Sequence, residues 1–153
     1  MWIGLPDDLE NYVGFVYQII RLSDNKTYIG QKTLWTKHKK KELKGRSKKE
    51  KQAIAKKKAK NKTGKLRTVR VKRPSDYLNY WGSSKELLED VLELGIVSFR
   101  REVIRMCHSK SELNYWETKY QFDNDVLGVE DKNNKDKYYN NCVNIRYGGN
   151  QVK

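Results

Sequence analysis

The chain has 153 residues, with 33 Lys and Arg against 19 Asp and Glu and a formal net charge of +14, a length that suits one domain or little more. No run approaches the roughly 18 consecutive apolar residues that a membrane span needs, and the N-terminus has neither a basic n-region nor a signal-type apolar core. A soluble protein of the cytoplasm is expected, and Cys107 and Cys142, too few for a disulfide scaffold or a four-ligand zinc site, read as reduced thiols.

From Val13 to Arg21 the run is rich in β-branched and aromatic residues, Ser23, Asp24 and Asn25 supply turn chemistry, and Lys26 to Gln31 resumes as a strand. These predict a β-hairpin, with Gly30 marking a break or a close backbone approach. A symmetric loop places Arg21 opposite Tyr28, and Tyr17 shares the face of Arg21 because strand side chains alternate. Tyr17 and Tyr28 then project from one face of the sheet.

Residues 37–73 carry 19 Lys and Arg against Glu42 and Glu50 alone, a balance of +17, so the rest of the chain is −3. The segment is a basic insertion in a slightly acidic domain. Its apolar residues are too sparse to offset the entropy of ordering a separate core, which predicts a solvated helix or a mobile arm. Dense lysine suits a polyanion, since each phosphate neutralised releases condensed counterions. DNA or RNA is the first expectation; a nuclear-localisation tract, an anionic-membrane patch or a merely solvated helix fits the charge as well.

After Pro74, Ser75 and Asp76 the chain turns, and a Tyr- and Trp-rich stretch leads to Gly82-Ser83-Ser84. Ser83 or Ser84 caps a helix whose apolar spacing is Leu87, Leu88, Val91, Leu92, with Gly95 at its C-terminal end. Ile96 to Cys107 reads as a strand, and Ser109 or Ser111 opens a last helix through Phe122. Residues 123–153 form an irregular, Asn- and Lys-rich tail. The predicted order is β-β-(insertion)-α-β-α within a single domain over 1–153.

On the last helix Leu113, Trp116 and Tyr120 form an apolar stripe, and Glu117 falls about 40° from Leu113, inside it. A carboxylate buried there unpaired would be costly. It either meets a cation, a metal or a hydrogen-bond network, or sits at the stripe's edge and reaches water. Tyr17 and Tyr28 are likewise compatible with half-buried packing, as are Trp35, Trp81 and the tyrosines from Tyr77 to Tyr80, which have the alternative of stacking on bases.

The text Phe15-Val16-Tyr17, ten residues, then Tyr28-Ile29-Gly30 resembles the signature of the GIY-YIG nuclease superfamily, with its eleven-residue step between tyrosines. Gly82-Ser83-Ser84-Lys85 before a helix, Gly95 and Phe99, the Cys107 to Leu113 segment, Glu117 and Tyr139-Asn140 extend the resemblance to the short phage-type members, relatives of homing endonucleases among them. It implies an α/β (α+β) fold, a central three-stranded antiparallel sheet flanked by helices, and cleavage of double-stranded DNA with one divalent metal, Mg²⁺ or Mn²⁺. By the same resemblance Tyr17 and Tyr28 are the paired active-site tyrosines, Glu117 the metal-binding carboxylate and Asn140 the supporting polar residue. A lone carboxylate holds a hard cation loosely and leaves coordination sites for phosphate and water.

Two departures stand out. The leading glycine of the triplet is replaced by Phe15, with Gly14 one place earlier, a change of packing rather than of chemistry. The family's arginine, about ten residues after the second tyrosine on the first helix, is here His38. Arg46, eight residues on and on nearly the same side of a helix, is the alternative cation, and the sequence leaves the two open. Lys37, Lys39, Lys40, Lys41, Lys44, Lys48 and Lys49 of the insertion, with Lys32 and Lys85 outside it, are the candidate DNA contacts. A catalytically impaired DNA-binding module of the same fold is the second reading.

Overall fold

A computed structural model describes residues 1–40, 48–49, 52 and 69–145. In chain order its principal elements are β1 (Gly14–Arg21), β2 (Thr27–Thr33), β3 (Trp35–Lys40), β4 (Val69–Pro74), α1 (Lys85–Leu94), β5 (Phe99–Cys107) and α2 (Lys110–Asp123). They fall into two compact units, Met1–Leu34 with Ser75–Lys153, and Trp35–Pro74.

In the first unit β1 is the middle strand of a three-stranded sheet in the order β2-β1-β5, antiparallel throughout. Being covered on both faces, it reads as a nearly unbroken apolar run in which only Gln18 and Arg21 are not fully buried. On one face Val16 packs with Ile29, Cys107, Val126 and Leu113 of α2. On the other, the rings of Phe15 and Tyr17 lie 5.2 and 5.0 Å from that of Trp2, in edge-to-face contacts.

The hairpin loop is four residues, Leu22 to Asn25, closed by Arg21 N–H on the Lys26 carbonyl at 2.9 Å. Asn25 takes the left-handed conformation (φ 61°) that its short polar side chain tolerates. Tyr28 consequently pairs with Ile19, and Arg21 does not face it as the symmetric loop predicted. The shift is two residues, an even number, so Tyr17 and Tyr28 still share a face.

Helix α1 starts at Ser84, whose hydroxyl accepts from Leu87 N–H, and stops at Gly95 (φ 79°), whose N–H reaches the Val91 carbonyl. Its buried stripe is narrower than its spacing predicted: Leu87 and Val91 are buried while Leu92 is 86 % exposed. The next strand begins at Phe99 rather than Ile96, because Ile96–Ser98 forms a 3-10 turn. Helix α2 is capped by Ser109.

The segment after α2 is more ordered than its composition suggests. Asp125 accepts hydrogen bonds from the N–H groups of Val129, Glu130 and Asp131, which holds its carboxyl below the usual range. Tyr139 is fully buried and donates its hydroxyl to Asp90, the same carboxylate that pairs with Arg21.

The second unit contains the antiparallel ribbon β3-β4, paired from Trp35 with Pro74 to Lys40 with Val69. The helix or loose arm predicted for residues 37–73 is thus corrected at both ends, where Trp35, Thr36, Val69 and Val71 favour strands. His38 lies on β3, so its helical relation to Arg46 falls away; Arg46, Lys41 and Lys44 lie outside the described residues. Lys48 and Lys49 are exposed helical positions. Among the described residues no helix is long and apolar enough to cross a membrane.

Candidate active site

The free side of β2 is an edge of the sheet, and an unpaired edge has to be covered. At Thr27 and Ile29 the C-terminal segment covers it: Tyr139 N–H bonds the Thr27 carbonyl, and the Asn140 amide accepts from Ile29 N–H at 2.9 Å and donates to the Ile29 carbonyl at 2.7 Å. Gln121 of α2 donates to the same carbonyl at 3.0 Å. A cleft of about 600 Å³ opens beside this clamped strand. Tyr28, Tyr80, Ser83 and Lys85 line it together with Gln31, Glu117, Gln121 and Asn140.

The structure therefore brings Tyr28, Glu117, Asn140 and Lys85 to one cavity from four separate elements. Tyr17 is not among the lining residues; it is buried beneath them, its ring 6.1 Å from that of Tyr28 and 6.2 Å from that of Tyr80. Burial, reinforced by Tyr28, Tyr80 and Glu117 nearby, pushes the Tyr17 phenol well above its ordinary value, so it stays protonated. It hydrogen-bonds Tyr80, whose own phenol is raised by burial against the opposing pull of its hydrogen bonds to Tyr17 and Ser83. Ser83 in turn lies 3.0 Å from the Tyr28 hydroxyl. Three tyrosines and a serine thus form one hydroxyl network from the interior to the cleft.

Two glycines make room for it. A Cβ on Gly30 would meet the Tyr17 hydroxyl at 2.7 Å and the Tyr28 ring at 2.8 Å, and one on Gly82 (φ 87°) would meet the other side of the Tyr28 ring at 3.0 Å. Segment 78–80 is held by Arg101, which donates to the carbonyls of Leu78 and Tyr80 and lies over the rings of Trp2 and Trp81. Lys32, a candidate phosphate contact, has its ammonium 2.7 Å from Asp76 and 3.5 Å from the Tyr80 ring centroid, so it braces that ring.

Residues 4–58 and 47–143 match the family model described as "Putative endonuclease segE, GIY-YIG domain". The chain belongs to the GIY-YIG nuclease family. No curated protein and no solved structure matches it.

In this GIY-YIG chain the departure at the leading glycine is one of packing. Phe15 is fully buried in the aromatic cluster, while Gly14 allows the Lys32 carbonyl and Leu113 to approach where a Cβ would stand 2.4 and 2.8 Å away. The replacement of arginine by His38 falls on a strand of the second unit. Sequence reasoning missed Gln31, Gln121 and Arg101; it left Tyr80 between packing and base stacking, and gave Ser83 no role beyond a helix cap and a place in the Gly82-Ser83-Ser84-Lys85 motif. The Gly82-Ser83-Ser84 turn was the available signal for Ser83; Tyr80 is picked out only by its ring contact with Tyr17 and its place on the cleft wall.

Proposed function

We propose that this GIY-YIG chain is a metal-dependent DNA endonuclease that hydrolyses phosphodiester bonds in the cleft beside β2. The observation that carries the reading is that Tyr28 and Glu117, from β2 and α2, line one cavity with Lys85 at the start of α1.

Among the described residues lining the cleft Glu117 is the only carboxylate, and Gln31, Gln121 and Asn140 line it with amides. Among the described residues no three His, Cys, Asp or Glu side chains cluster to cage a metal. This oxygen-rich, singly charged set suits a hard cation such as Mg²⁺ or Mn²⁺ that completes its shell with water and phosphate, and Glu117 would hold it. Bound there, the metal supplies charge stabilisation at the leaving oxygen.

The chain's own groups divide the remaining tasks. Lys85, at the N-terminal end of α1, attracts a non-bridging phosphate oxygen. The Tyr28 hydroxyl, poised by Ser83, orients the attacking water. The buried Tyr17 ring supports the rings of Tyr28 and the half-buried Tyr80 from beneath; a phenol kept protonated at neutral pH is a positioning group, not a base.

The test is a supercoiled plasmid incubated with the protein and Mg²⁺. Nicked or linear product is expected, and Glu117→Ala should abolish it. Product that survives Glu117→Ala, or that forms in excess chelator, would sink the mechanism. The second reading, a module that binds DNA without cutting it, draws on one observation, the His38 on β3 where the family carries an arginine on a helix. It requires salt-sensitive binding with no metal-dependent product at any time point.

A further inference from the structure

Tyr80 has a place on the cleft wall that its own stretch of chain does not explain. The turn that leads into it, Tyr77–Asn79, is a single 3-10 turn with no side-chain cap, and none of its three residues is buried. Its closing bond, from Tyr80 N–H to the Tyr77 carbonyl, is long at 3.4 Å. What fixes the turn comes from elsewhere in the first unit. Trp2 donates its indole N–H to the Tyr77 carbonyl at 2.7 Å, and Arg101 donates to the carbonyls of Leu78 and Tyr80 at 3.1 and 3.0 Å. The two donors are also locked to each other. Arg101 lies over the Trp2 ring, 4.7 Å from its centroid, and its own carbonyl accepts from Ile3 N–H at 2.9 Å, which lays residue 3 along the free edge of β5. Since the Trp2 ring also meets Tyr17 edge to face, one indole touches both the buried tyrosine and the turn that carries Tyr80.

The clasp is stiff for an electrostatic reason. Arg101 is buried, 7 % exposed, and its charge is met by two carbonyls and the faces of Trp2 and Trp81 rather than by a carboxylate among the described residues. A turn that drifted away would strand a buried cation, so the turn and the guanidinium hold each other. Lysine cannot take over the task, because it has neither the planar fork that reaches two carbonyls nor a flat face to lie between two indoles. Such rigidity matters where a hydroxyl serves a reacting phosphate: the productive geometry tolerates about 0.5 Å, and a misplacement of about 1 Å can cost 10²-fold in rate.

We propose that Trp2 and Arg101 are positioning residues of the cleft: by holding the carbonyls of Tyr77, Leu78 and Tyr80 they keep the Tyr80 hydroxyl where it donates to a phosphate oxygen of the bound DNA strand. The task given to the hydroxyl rests on the nuclease reading; the clasp rests on the contacts alone. Neither Trp2 nor Arg101 lines the cleft, so both act through the turn.

The test uses Arg101→Lys, Trp2→Phe, Tyr80→Phe, and the two doubles that add Tyr80→Phe to each of the others. Arg101→Lys keeps the charge and loses the fork, whereas Trp2→Phe keeps a ring against Phe15 and Tyr17 and loses the bond to the Tyr77 carbonyl. Hydrogen exchange of the backbone amides of residues 77–81 is followed without metal or DNA. Exchange there should quicken by about tenfold in both clasp variants, while that of β1 and β2 stays as in the wild type. The single-turnover rate on a saturating DNA duplex with Mg²⁺ should fall by about 10- to 100-fold, with duplex affinity in EDTA within about twofold of the wild type. In the Tyr80→Phe background the same substitutions should cost less than about twofold more, since the hydroxyl that they position is already gone. Losses that multiply in the doubles, rates of both clasp variants within twofold of the wild type, or a fall in rate no larger than the fall in folded protein overturn the proposal. If Arg101→Lys does not fold, Trp2→Phe and its double carry the same comparison. A wild type that leaves DNA uncut overturns the nuclease reading and the task of the hydroxyl with it. Unchanged exchange at residues 77–81 in a wild type that cuts removes the clasp and leaves the nuclease reading standing.

Discussion

The side-chain amide of Asn140 pairs with both backbone polar groups of Ile29, standing in for the strand that β2 lacks on its free side. Its oxygen faces an N–H and its nitrogen a carbonyl, and both groups are buried. Asn140 thereby acts on the site through the backbone beside Tyr28, as a positioning residue. Truncation to alanine would leave the Ile29 N–H without this acceptor, whereas the Ile29 carbonyl keeps Gln121. Asn140→Ala should cost about 1–3 kcal/mol in chemical denaturation. Asn140→Asp should fare no better, since a carboxylate has nothing to donate to the carbonyl. Stability of Asn140→Ala within about 0.5 kcal/mol of the wild type would show that the clamp is dispensable.

Gly30 is opposite Tyr17 in the register, and the two tyrosine rings close over it. Gly30→Ala should force both rings to shift, destabilising the fold by about 1–3 kcal/mol as overpacking does. Because the displaced groups include the Tyr28 ring, cleavage should fall by more than the loss of folded protein explains. Activity per folded molecule, with the folded fraction taken from circular dichroism, is the measurement.

Tyr28 and Tyr17 should separate in their effects. Tyr28→Phe removes the hydroxyl from the cleft wall and should lower the single-turnover cleavage rate by about 10²–10⁴-fold, the range for a positioned proton-handling group. Tyr17→Phe keeps the buried ring and removes only the bond to Tyr80, so its loss should be smaller, about tenfold. A Tyr17→Phe rate as low as that of Tyr28→Phe would mean that the interior phenol takes part directly.

Asp24 in the hairpin loop pairs with Arg21, whose guanidinium, together with the Lys26 N–H, lowers the Asp24 carboxyl from 3.8 to about 2. A carboxyl whose folded value is depressed contributes stability above its unfolded value and loses it as pH falls through the folded one. The Asp24 contribution should therefore be fully present above about pH 4 and vanish toward pH 2. Since the pair is partly solvated, it amounts to no more than about 1 kcal/mol. Melting curves of the wild type and Asp24→Asn from pH 7 to 2 should run parallel above pH 4 and converge below it. A gap that widens on acidification would contradict the assignment.

Much of the architecture was legible in local chemistry. The turn residues after Arg21, the serine caps at Ser84 and Ser109 and the glycine at Gly95 are nearest-neighbour signals, and the hairpin and both helices follow them. The place of Glu117 beside the apolar stripe of α2 follows from helical periodicity, and the structure leaves it half-buried on the cleft wall; the membership of the GIY-YIG family follows from the spacing of Tyr17 and Tyr28 together with the motifs downstream. The charge balance alone located the basic insertion at residues 37–73.

What composition concealed was decided by pairing. A lysine-rich stretch reads the same in a helix or in a strand, and only the register of β3 on β4 shows that its two ends pair with one another. The asparagine-rich tail has no period to read, because Tyr139 and Asn140 owe their burial to the edge of β2, more than a hundred residues earlier in the chain. Tyr80 and Arg101 carry no local mark of the site either; a hydroxyl network and a cation held between two indoles exist only once distant segments meet. The sequence by itself determined the hairpin, the two helices and the strand between them, and which residues could do chemistry. The tertiary structure decided which hydroxyl faces the cleft and which stays buried as support, since burial depends on contacts that no local pattern encodes.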